Sequence, residues 1–426
     1  MSGLPKITIC VHDQPGNVGG PVVWIRRLLP ELRQRGFETR CLFLTWGGLG
    51  ATGLSLQAEG FDCPSVECPA TTEERIRWIL SRLQENPPDI FVSNVVVAAY
   101  FASRWVMAAG IPALGVLHSD DAHHQALQAQ FLAGDPANRL TAMVCVSHEL
   151  EQQARGRSRG QTLVRRIPYG VAVPSEPVRR KAGRFRLAYV GRLVEEQKQI
   201  SALTRALCRV VRMLPGTDAL IIGDGPDRNA VERVLATEGA GLPVILAGRV
   251  DSEVIQDRLL DCDVIVLLSD YEGLPIALLE GMACGCVPVC LQMRSGIPEL
   301  VQPEVTGLIV QNRDEDFLTA IRRLQQEPGL WERLSQAARA RVAATYSSES
   351  SAVQWAGLLG ELSNPGSSKA RINIPAQFDL PPVHPGLARE DLRAPLPDSF
   401  ARKVMLRGRR FAGRIRRRIV GSGSLS

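Results

Sequence analysis

Two glutamates, Glu272 and Glu280, are separated by seven residues in the run EGLPIALLE. The first follows an apolar segment, and the second falls about one and a half turns into a helical pattern. A carboxylate at each place can hold one end of a single ligand, because free N–H groups at the helix start attract an anion between them. Gly273 lets the backbone approach a phosphate closely. The arrangement suits a sugar nucleotide.

Either glutamate alone would more often be an ordinary surface residue. Glu280, however, is surrounded by small and apolar residues in the run from Ala277 to Cys284. A free surface position is therefore less suitable for its carboxylate, and the functional interpretation is favoured.

The elements that must position these acids can be read from the same stretch. Asp263–Ser269 is almost wholly apolar, as in a strand covered on both faces. Asp270–Leu274 interrupts it, and a helix is expected over Ile276–Cys284, with Pro275 at the first helical position and Gly285 as the stop signal. In a parallel α/β sheet such a strand-to-helix loop lies where ligands bind.

The segment from Glu272 to Val289 resembles the signature of retaining GT-B glycosyltransferases of sequence family 4. The resemblance implies two Rossmann-like domains facing each other across a cleft. It also implies transfer of a sugar from a nucleoside diphosphate sugar to an acceptor hydroxyl, with retained anomeric configuration. Within that resemblance Glu280 binds the ribose diol, and Glu272, with the backbone of Gly273 and Leu274, binds the donor sugar.

Two cations follow the expected strand Phe185–Val190, namely Arg192 and Lys198. Cations at the carboxyl end of a strand can stabilise the charge that grows on a leaving diphosphate. The resemblance assigns that role to this pair, although the two are six residues apart where many relatives have five. The alternative is that both are solvated and pair with Glu195 and Glu196.

Glycine-rich turns supply further candidates for donor binding. Gly19 and Gly20 follow the expected first strand Lys6–His12, without a G-x-G-x-x-G dinucleotide fingerprint. In the family a loop at this place approaches the donor from the opposite domain, whereas a simple tight turn is the alternative. Later turns resemble family turns that line the nucleotide and contain Gly223, Arg249 and Val250.

His118 ends a strand expected over Ala113–Leu117 and precedes Asp120, Asp121, His123 and His124. Facing the cleft, a histidine could bind a sugar hydroxyl or approach the reacting carbon. It resembles the family histidine near the donor sugar, and the following loop is a candidate for acceptor contact. A histidine bonded only to backbone is the alternative.

No metal and no further cofactor is expected. Asp261-Cys-Asp263 spells D-x-D, but it precedes a buried strand instead of ending one, and Arg192, Lys198 and a helix start can supply the positive field. The ten cysteines lie mostly inside apolar strands and lack the spacing of a zinc site, so reduced, buried thiols are expected.

Alternating strand and helix patterns over 426 residues predict an α/β protein of two domains with an appendage. The expected boundaries are an acceptor-side domain over 1–174, a linker over 175–184 and a nucleotide-sugar domain over 185–345. A helix over 346–362, anchored by Trp355, should cross back to the first domain. Residues 363–426 then form a proline-rich extended linker and a basic tail.

Residues 401–420 contain nine Lys or Arg and no acid, whereas the rest of the chain has 41 basic and 44 acidic residues. The tail has apolar residues at helical spacing, which favours an interfacial helix that contacts an anionic membrane or a lipid-linked substrate. A disordered basic tail is the equal alternative, because Gly408 and Gly413 weaken a helix. Nucleic-acid binding is not expected, because no reading domain accompanies the tail.

No apolar run approaches the length of a membrane span and no signal peptide is evident, so a cytoplasmic protein, peripheral to the membrane at most, is expected. The acceptor is a glycan, a lipid-linked sugar or a small molecule. A sugar-nucleotide epimerase and a non-catalytic nucleotide-sugar-binding protein remain alternatives. The base, the sugar, the linkage and the oligomeric state cannot be derived from the sequence.

Overall fold

Two parallel β-sheets form the scaffold of the protein. The computed structural model describes residues 5–16, 19–178, 183–293, 296–363, 369–391 and 393. Seven strands form the first sheet in the order β3-β2-β1-β4-β5-β6-β7, and six form the second in the order β10-β9-β8-β11-β12-β13. The strands are β1 (Lys6–Asp13), β2 (Glu38–Thr45), β3 (Ser65–Glu67), β4 (Ile90–Asn94), β5 (Ala113–Leu117), β6 (Ala142–Cys145), β7 (Leu163–Arg166), β8 (Phe185–Val190), β9 (Thr217–Ile222), β10 (Val244–Gly248), β11 (Val264–Leu267), β12 (Val287–Leu291) and β13 (Leu308–Val310).

Helices connect successive strands, as parallel pairing requires. They are α1 (Gly20–Gln34), α2 (Ala51–Ala58), α3 (Thr72–Glu85), α4 (Val97–Ala108), α5 (Ala122–Phe131), α6 (His148–Ser158), α7 (Glu195–Lys198), α8 (Ile200–Met213), α9 (Arg228–Thr237), α10 (Ser252–Leu259), α11 (Ile276–Cys284), α12 (Ile297–Leu300), α13 (Glu315–Gln326), α14 (Leu330–Thr345) and α15 (Ser348–Leu362). In both sheets the strand order reverses at a central pair, β1/β4 and β8/β11. The edge beyond the carboxyl ends of such a pair is where open α/β sheets bind ligands.

Burial explains why the central strands read as apolar runs. Each residue of β5 is buried, and the same holds for β4, β11 and β12. Helices cover both faces of these strands, so alternation with polar residues is lost. The buried strand before Glu272 is Val264–Leu267, shorter at both ends than the predicted Asp263–Ser269.

Helix α15 crosses from the second unit and packs on the first. Trp355 is 1% exposed, and its ring centroid lies 5.2 Å from that of Trp24 on α1. Ser351 Oγ donates a hydrogen bond of 2.7 Å to the carbonyl oxygen of Pro168, which fixes the start of the helix. The end of the chain's second half is thereby fastened to the first sheet's helical layer.

The segment 369–391, here called the C-terminal strap, is extended but is not a free linker. Lys369 pairs with Asp89, and the Ala370 N–H donates to the carbonyl oxygen of Ala109 at 3.1 Å. Further along, Leu387 is fully buried against α5. This part of the predicted extended linker is thus docked on the first sheet's helical layer. Residues 394–426, with the predicted interfacial helix, lie outside the described residues.

All ten cysteines are free thiols and nine of them are buried, as predicted. Among the helices of the described ranges, none has the length and apolarity needed to cross a membrane.

Candidate active site

The carboxyl edges of the two sheets face each other. Gly273 follows β11, and a Cβ atom placed on it would lie 2.0 Å from the carbonyl oxygen of His118, which follows β5. Only a residue without a side chain allows this approach. The loop before α11 is therefore held against the end of β5 by direct contact between backbones.

Helix α11 begins as the sequence predicts, at Ile276, but Pro275 is its N-cap and not its first helical residue. At the other end Gly285 adopts a φ of 94°, the left-handed conformation that favours glycine after a helix. Gly285 thus ends the helix as predicted, because glycine adopts this conformation without strain.

Glu280 projects from α11 toward the first sheet's helices and forms an ion pair with Arg27 on α1. Both side chains are mostly buried, so the pair is shielded from solvent. Arg27 is not among the residues predicted from the sequence. It follows Arg26 in an amphipathic helix, and such a pair of arginines looks like a solvated face.

Glu272 and Lys198 also meet directly, in an ion pair whose side chains are 7% and 13% exposed. Gln197 supports the loop by donating to the carbonyl oxygen of Tyr271 at 3.0 Å and to Glu272 Oε2 at 3.4 Å. The sequence analysis assigns these two residues separate partners, a sugar and a diphosphate. In the structure the two side chains pair with each other, at the carboxyl edge of β8 and β11.

Arg192 follows β8 and has an exposed side chain. Within the described residues no ion pair or side-chain hydrogen bond of its guanidinium is found. Its carbonyl oxygen accepts a hydrogen bond of 2.9 Å from Tyr189 Oη, which fixes the loop beneath it. The side chain is therefore free to bind an anion at the cleft.

Three glycines line the same edge of the second sheet. The Gly223 N–H donates to the carbonyl oxygen of Gly248 at 2.8 Å, and its φ is 151°. A Cβ on Gly223 would lie 1.9 Å from the carbonyl oxygen of Gly191. Close contact of backbones therefore builds this part of the edge and leaves it free of side chains.

Arg249 and Val250 follow β10 at the same edge. Arg249 is exposed and Val250 is half-buried. The Arg249 Nη1 atom lies 3.1 Å from the position that a Cβ on Gly16 would take, so this side chain reaches the loop after β1 in the opposite sheet. The arginine thus bridges the two edges.

Gly19 and Gly20 lie where α1 starts. Gly19 is the extended N-cap of the helix, and a Cβ on Gly20 would lie 3.4 Å from Ile276 Cδ1. Leu274, in the loop before α11, is buried. The first turns of α1 and α11 therefore lie against each other, one from each sheet.

His118 is brought to this interface, but both of its ring nitrogens are engaged. Asn94 Nδ2 donates to the carbonyl oxygen of Pro21 at 3.0 Å, so its Oδ1 accepts from His118 Nε2–H. The other nitrogen, Nδ1, then accepts from Tyr169 Oη. Burial, together with the neighbouring His124, lowers the pKa of His118 well below its usual value. His118 is held as a neutral imidazole.

The polar loop expected after His118 is partly helical. Asp121 accepts a hydrogen bond of 2.9 Å from the His124 N–H and caps α5, so His123 and His124 lie on the first turn of that helix. The sequence prediction of a loop is wrong for these two histidines. The cap is an Asp at the position where helices favour it.

The D-x-D pair lies away from the site. Asp261 pairs with Arg184 at 2.7 Å and with Arg186 at 2.9 Å, and Asp263 Oδ2 accepts from the Arg186 N–H. These contacts lie at the amino end of β11, the edge opposite to Glu272. In the described ranges no group of three His, Cys, Asp or Glu is arranged to hold a metal.

Two doubly wound sheets whose carboxyl edges face each other, with paired acids and cations between them, define a GT-B glycosyltransferase architecture. Residues 175–341 match the family described as glycosyl transferases group 1, and residues 18–173 match the one described as glycosyltransferase family 4. The two matches adjoin and together include every strand of both sheets except β1. The chain belongs to these glycosyltransferases.

Curated relatives are similar over part of their length. An alpha-D-kanosaminyltransferase from Streptomyces kanamyceticus is 30% identical over 175 residues, which is 41% of this chain and 45% of that protein. A GDP-mannose-dependent monoacylated alpha-(1-6)-phosphatidylinositol monomannoside mannosyltransferase from Corynebacterium glutamicum is 32% identical over 204 residues, 43% of this chain and 52% of that protein. The chain thus spans about half the length of these relatives.

A solved structure shares the fold over a longer stretch. Anabaena Alr3699/HepE in complex with UDP and glucose has a TM-score of 0.68 at 17% identity, covering 84% of this chain and all of that one. At this identity the likeness establishes the two-domain fold.

Proposed function

We propose that the protein transfers a sugar from a nucleoside diphosphate sugar to an acceptor hydroxyl with retention of configuration. The observation that carries the proposal is the Lys198–Glu272 pair, which lies beside the start of α11 and opposite the end of β5. A cation and a helix amino end there would stabilise a leaving diphosphate, where charge develops as the glycosidic bond breaks.

The remaining roles follow from position. Arg192, exposed and unpaired among the described residues, binds the diphosphate together with Lys198. Glu280 binds the ribose diol once Arg27 moves aside, and the backbone at Gly223 and Arg249–Val250 lies along the nucleotide. No metal is assigned a role, because the two cations and the amino end of α11 supply positive charge.

The hydrogen bonds of His118 favour a positioning role over proton transfer. Its neutral ring joins β5 to β4 and to the turn at Tyr169. Its carbonyl oxygen meets Gly273 of the donor loop. It therefore fixes the backbone on which the reacting sugar would rest.

A donor screen tests the proposal. Thermal unfolding with UDP-, GDP- and ADP-sugars should show a raised Tm with the true donor, because a ligand that binds only the folded state stabilises it. Glu272→Ala and Arg192→Ala should each remove most sugar transfer while the chain remains folded. Glu232→Ala, an exposed acid on α9, is the matched control. Undiminished turnover in the first two variants would contradict the assignment.

The proposal also covers the class of acceptor and contact with a membrane. The acceptor is a glycan, a lipid-linked sugar or a small molecule, and the basic tail brings the enzyme to an anionic surface where a lipid-linked acceptor lies. Liposome sedimentation with phosphatidylglycerol vesicles compares the full chain with one lacking residues 398–426. Equal binding by both proteins would remove the tail from the proposal.

A further inference from the structure

A cluster of one arginine and two histidines lies at the carboxyl edge of the first sheet, apart from the donor residues. It contains His12 at the end of β1, Arg75 on α3 and His123 on α5, beside the amino end of α4 at Val97. Arg75 is buried. The Nδ1 atom of His12 and the Nε2 atom of His123 are buried without a hydrogen-bond partner in the described part of the chain.

A carboxylate from the C-terminal strap enters this cluster. Glu390 Oε1 lies 3.7 Å from His123 Nδ1, and Arg75 Nη1 donates to the Glu390 carbonyl oxygen at 3.1 Å. The other carboxylate oxygen, Oε2, is buried and has no partner among the described residues. Burial raises the pKa of Glu390 to about 7, against the opposing effect of Arg75 and the Val97 N–H.

The strap is fastened just before Glu390. The His384 N–H donates to Gln130 Oε1 at 2.8 Å, and Leu387 is fully buried. A Cβ on Gly386 would lie 2.8 Å from Ala126 Cβ, so the strap turns tightly over α5. These residues lie beyond residue 341, where the family match ends. The acid thus comes from outside the stretch that matches the family.

The cluster is continuous with the proposed reaction site. The rings of His123 and His124 are 5.5 Å apart, and those of His124 and His118 are 6.2 Å apart. His118 in turn contacts Gly273 of the donor loop. On the other side, the ring of Trp46 lies 4.5 Å from that of His12 and is 44% exposed. An aromatic face is therefore available beside this cluster.

We propose that this cluster is the acceptor subsite for a sugar that carries an anionic group, and that Glu390 is an internal substitute for that group. Arg75, the two histidines and the amino end of α4 would bind the anion, because guanidinium forks and helix starts both favour it. The sugar ring would lie against Trp46. Since the strap competes for the site, it lowers the apparent affinity for such an acceptor. The assignment rests on the proposed transfer reaction.

Binding of small probes to the full-length protein tests the subsite. Calorimetry compares methyl α-glucuronide and glucose 6-phosphate with neutral methyl α-glucoside. In Glu390→Ala the Kd for one or both anionic probes should fall about tenfold, because the competitor is removed. The Kd for methyl α-glucoside should stay unchanged. Tighter binding of methyl α-glucuronide would indicate a carboxylate subsite, and tighter binding of glucose 6-phosphate would indicate a phosphate subsite. Unchanged affinity for both overturns the proposal.

Asp379→Ala is the matched control, because Asp379 is an exposed acid on the same strap. It should change no affinity. Trp46→Ala should weaken all three probes by a similar factor, since the ring contact is independent of charge. Weakening confined to the anionic probes would contradict the placement of the ring.

A second variant covers the case in which Glu390→Ala perturbs folding. Leu387→Ser undocks the strap without changing a residue of the cluster. It should lower the Kd for the anionic probes, as Glu390→Ala does. Thermal shift with the donor is read in parallel. If no donor binds but the anionic probes tighten, the transfer reaction fails while the anion site stands; if the donor binds but the probes do not tighten, only the subsite fails.

Discussion

Glu272 and Glu280 each meet a cation, but the two cations come from different sheets. Lys198 belongs to the second sheet's own helical layer, whereas Arg27 projects from α1 of the first. The first pair is therefore local to one domain, and the second closes the cleft. A donor that bound Glu280 through its ribose would have to displace Arg27.

Removal of Lys198 should be costly. Glu272 is buried, and without its partner it would be left as an uncompensated charge, which costs about 3–5 kcal/mol in comparable buried pairs. Lys198→Ala should lower the free energy of unfolding by that order, measured by urea denaturation. The double variant with Glu272→Gln should recover most of the loss.

The control for this prediction is Arg155→Ala, which removes an exposed pair with Glu151 on α6. Exposed pairs contribute about 0–1 kcal/mol. A loss in Lys198→Ala no larger than that in Arg155→Ala would show that Glu272 is solvated in the folded protein.

How far the site can be predicted from sequence depends on the kind of residue. Glu272, Lys198 and Glu280 are recognisable because loop, helix and glycine signals surround them in the chain. Arg27 is not, since its partner is 253 residues away and its own helix shows ordinary amphipathic spacing. The two hydrogen bonds of His118, with Asn94 and with Tyr169, could not be predicted either, because the three residues are far apart in the chain.

At the scale of elements, the loop before α11 fixes how closely the sheets approach. Gly273→Ala would place a Cβ 2.0 Å from the His118 carbonyl oxygen and 3.0 Å from Ser119 Cα, and neither backbone atom can move aside alone. We expect a loss of about 1–3 kcal/mol in stability and a larger radius of gyration by X-ray scattering, with weaker donor binding.

Gly156→Ala is the control for that change. Gly156 lies on α6 and has no atom within 4 Å of its Cβ position, so alanine should stabilise the helix by about 0.5–1 kcal/mol. An unchanged radius of gyration in Gly273→Ala would show that the loop yields without parting the sheets.

Helix α15 provides a second prediction at this scale. Trp355→Ala should cost about 3–5 kcal/mol, because it leaves a cavity against Trp24. Trp355→Phe should cost much less, since the indole Nε1 has no hydrogen-bond partner in the described residues. Val353→Ala, on the exposed face of the same helix, should change stability by less than about 0.5 kcal/mol. Equal losses in the Phe and Ala variants would contradict the packing argument.

The C-terminal strap shows where element prediction fails. Proline-rich composition indicates an extended chain, and the strap is extended. Its docking, however, depends on burial of scattered apolar residues such as Leu387 and on carbonyl oxygens that accept hydrogen bonds from Gln84, Arg104 and Arg77 on two helices. Backbone acceptors leave no trace in the residue pattern, so the sequence gives no sign that this segment is fixed.

At the scale of the whole molecule, two sheets of like topology meet at their carboxyl edges, and a few charged contacts join them. Arg27–Glu280 and Arg166–Glu299 each join one sheet's elements to the other's. The strand patterns predict both sheets separately. Their mutual placement follows from contacts such as Gly273 with His118, which only the folded chain brings together.

Three histidines, one buried and two half-buried, tie the stability of the whole molecule to pH. Burial lowers the pKa of His12 and of His123 to about 4, and that of His118 well below its usual value. The unfolded chain therefore binds protons at these positions below about pH 6.5, where the folded chain does not. Unfolding is then favoured as the pH falls, by about 1.4 kcal/mol per pH unit for each histidine.

Glu390 has the opposite effect on stability, because its pKa in the folded protein is raised to about 7. Between that pH and the lower pKa of the unfolded chain, the folded state binds a proton that the unfolded state does not, so this group favours folding as the pH falls. We expect the free energy of unfolding, measured with urea at pH 7, 6 and 5, to fall toward acid because three histidines outweigh one carboxyl group. His123→Gln should reduce the slope by about 1.4 kcal/mol per pH unit. His148→Gln, at an exposed site, should leave it unchanged. A stability that is flat between pH 7 and 5 would mean that these rings are protonated in the folded protein, and the neutral state assigned to His118 would then fall with them.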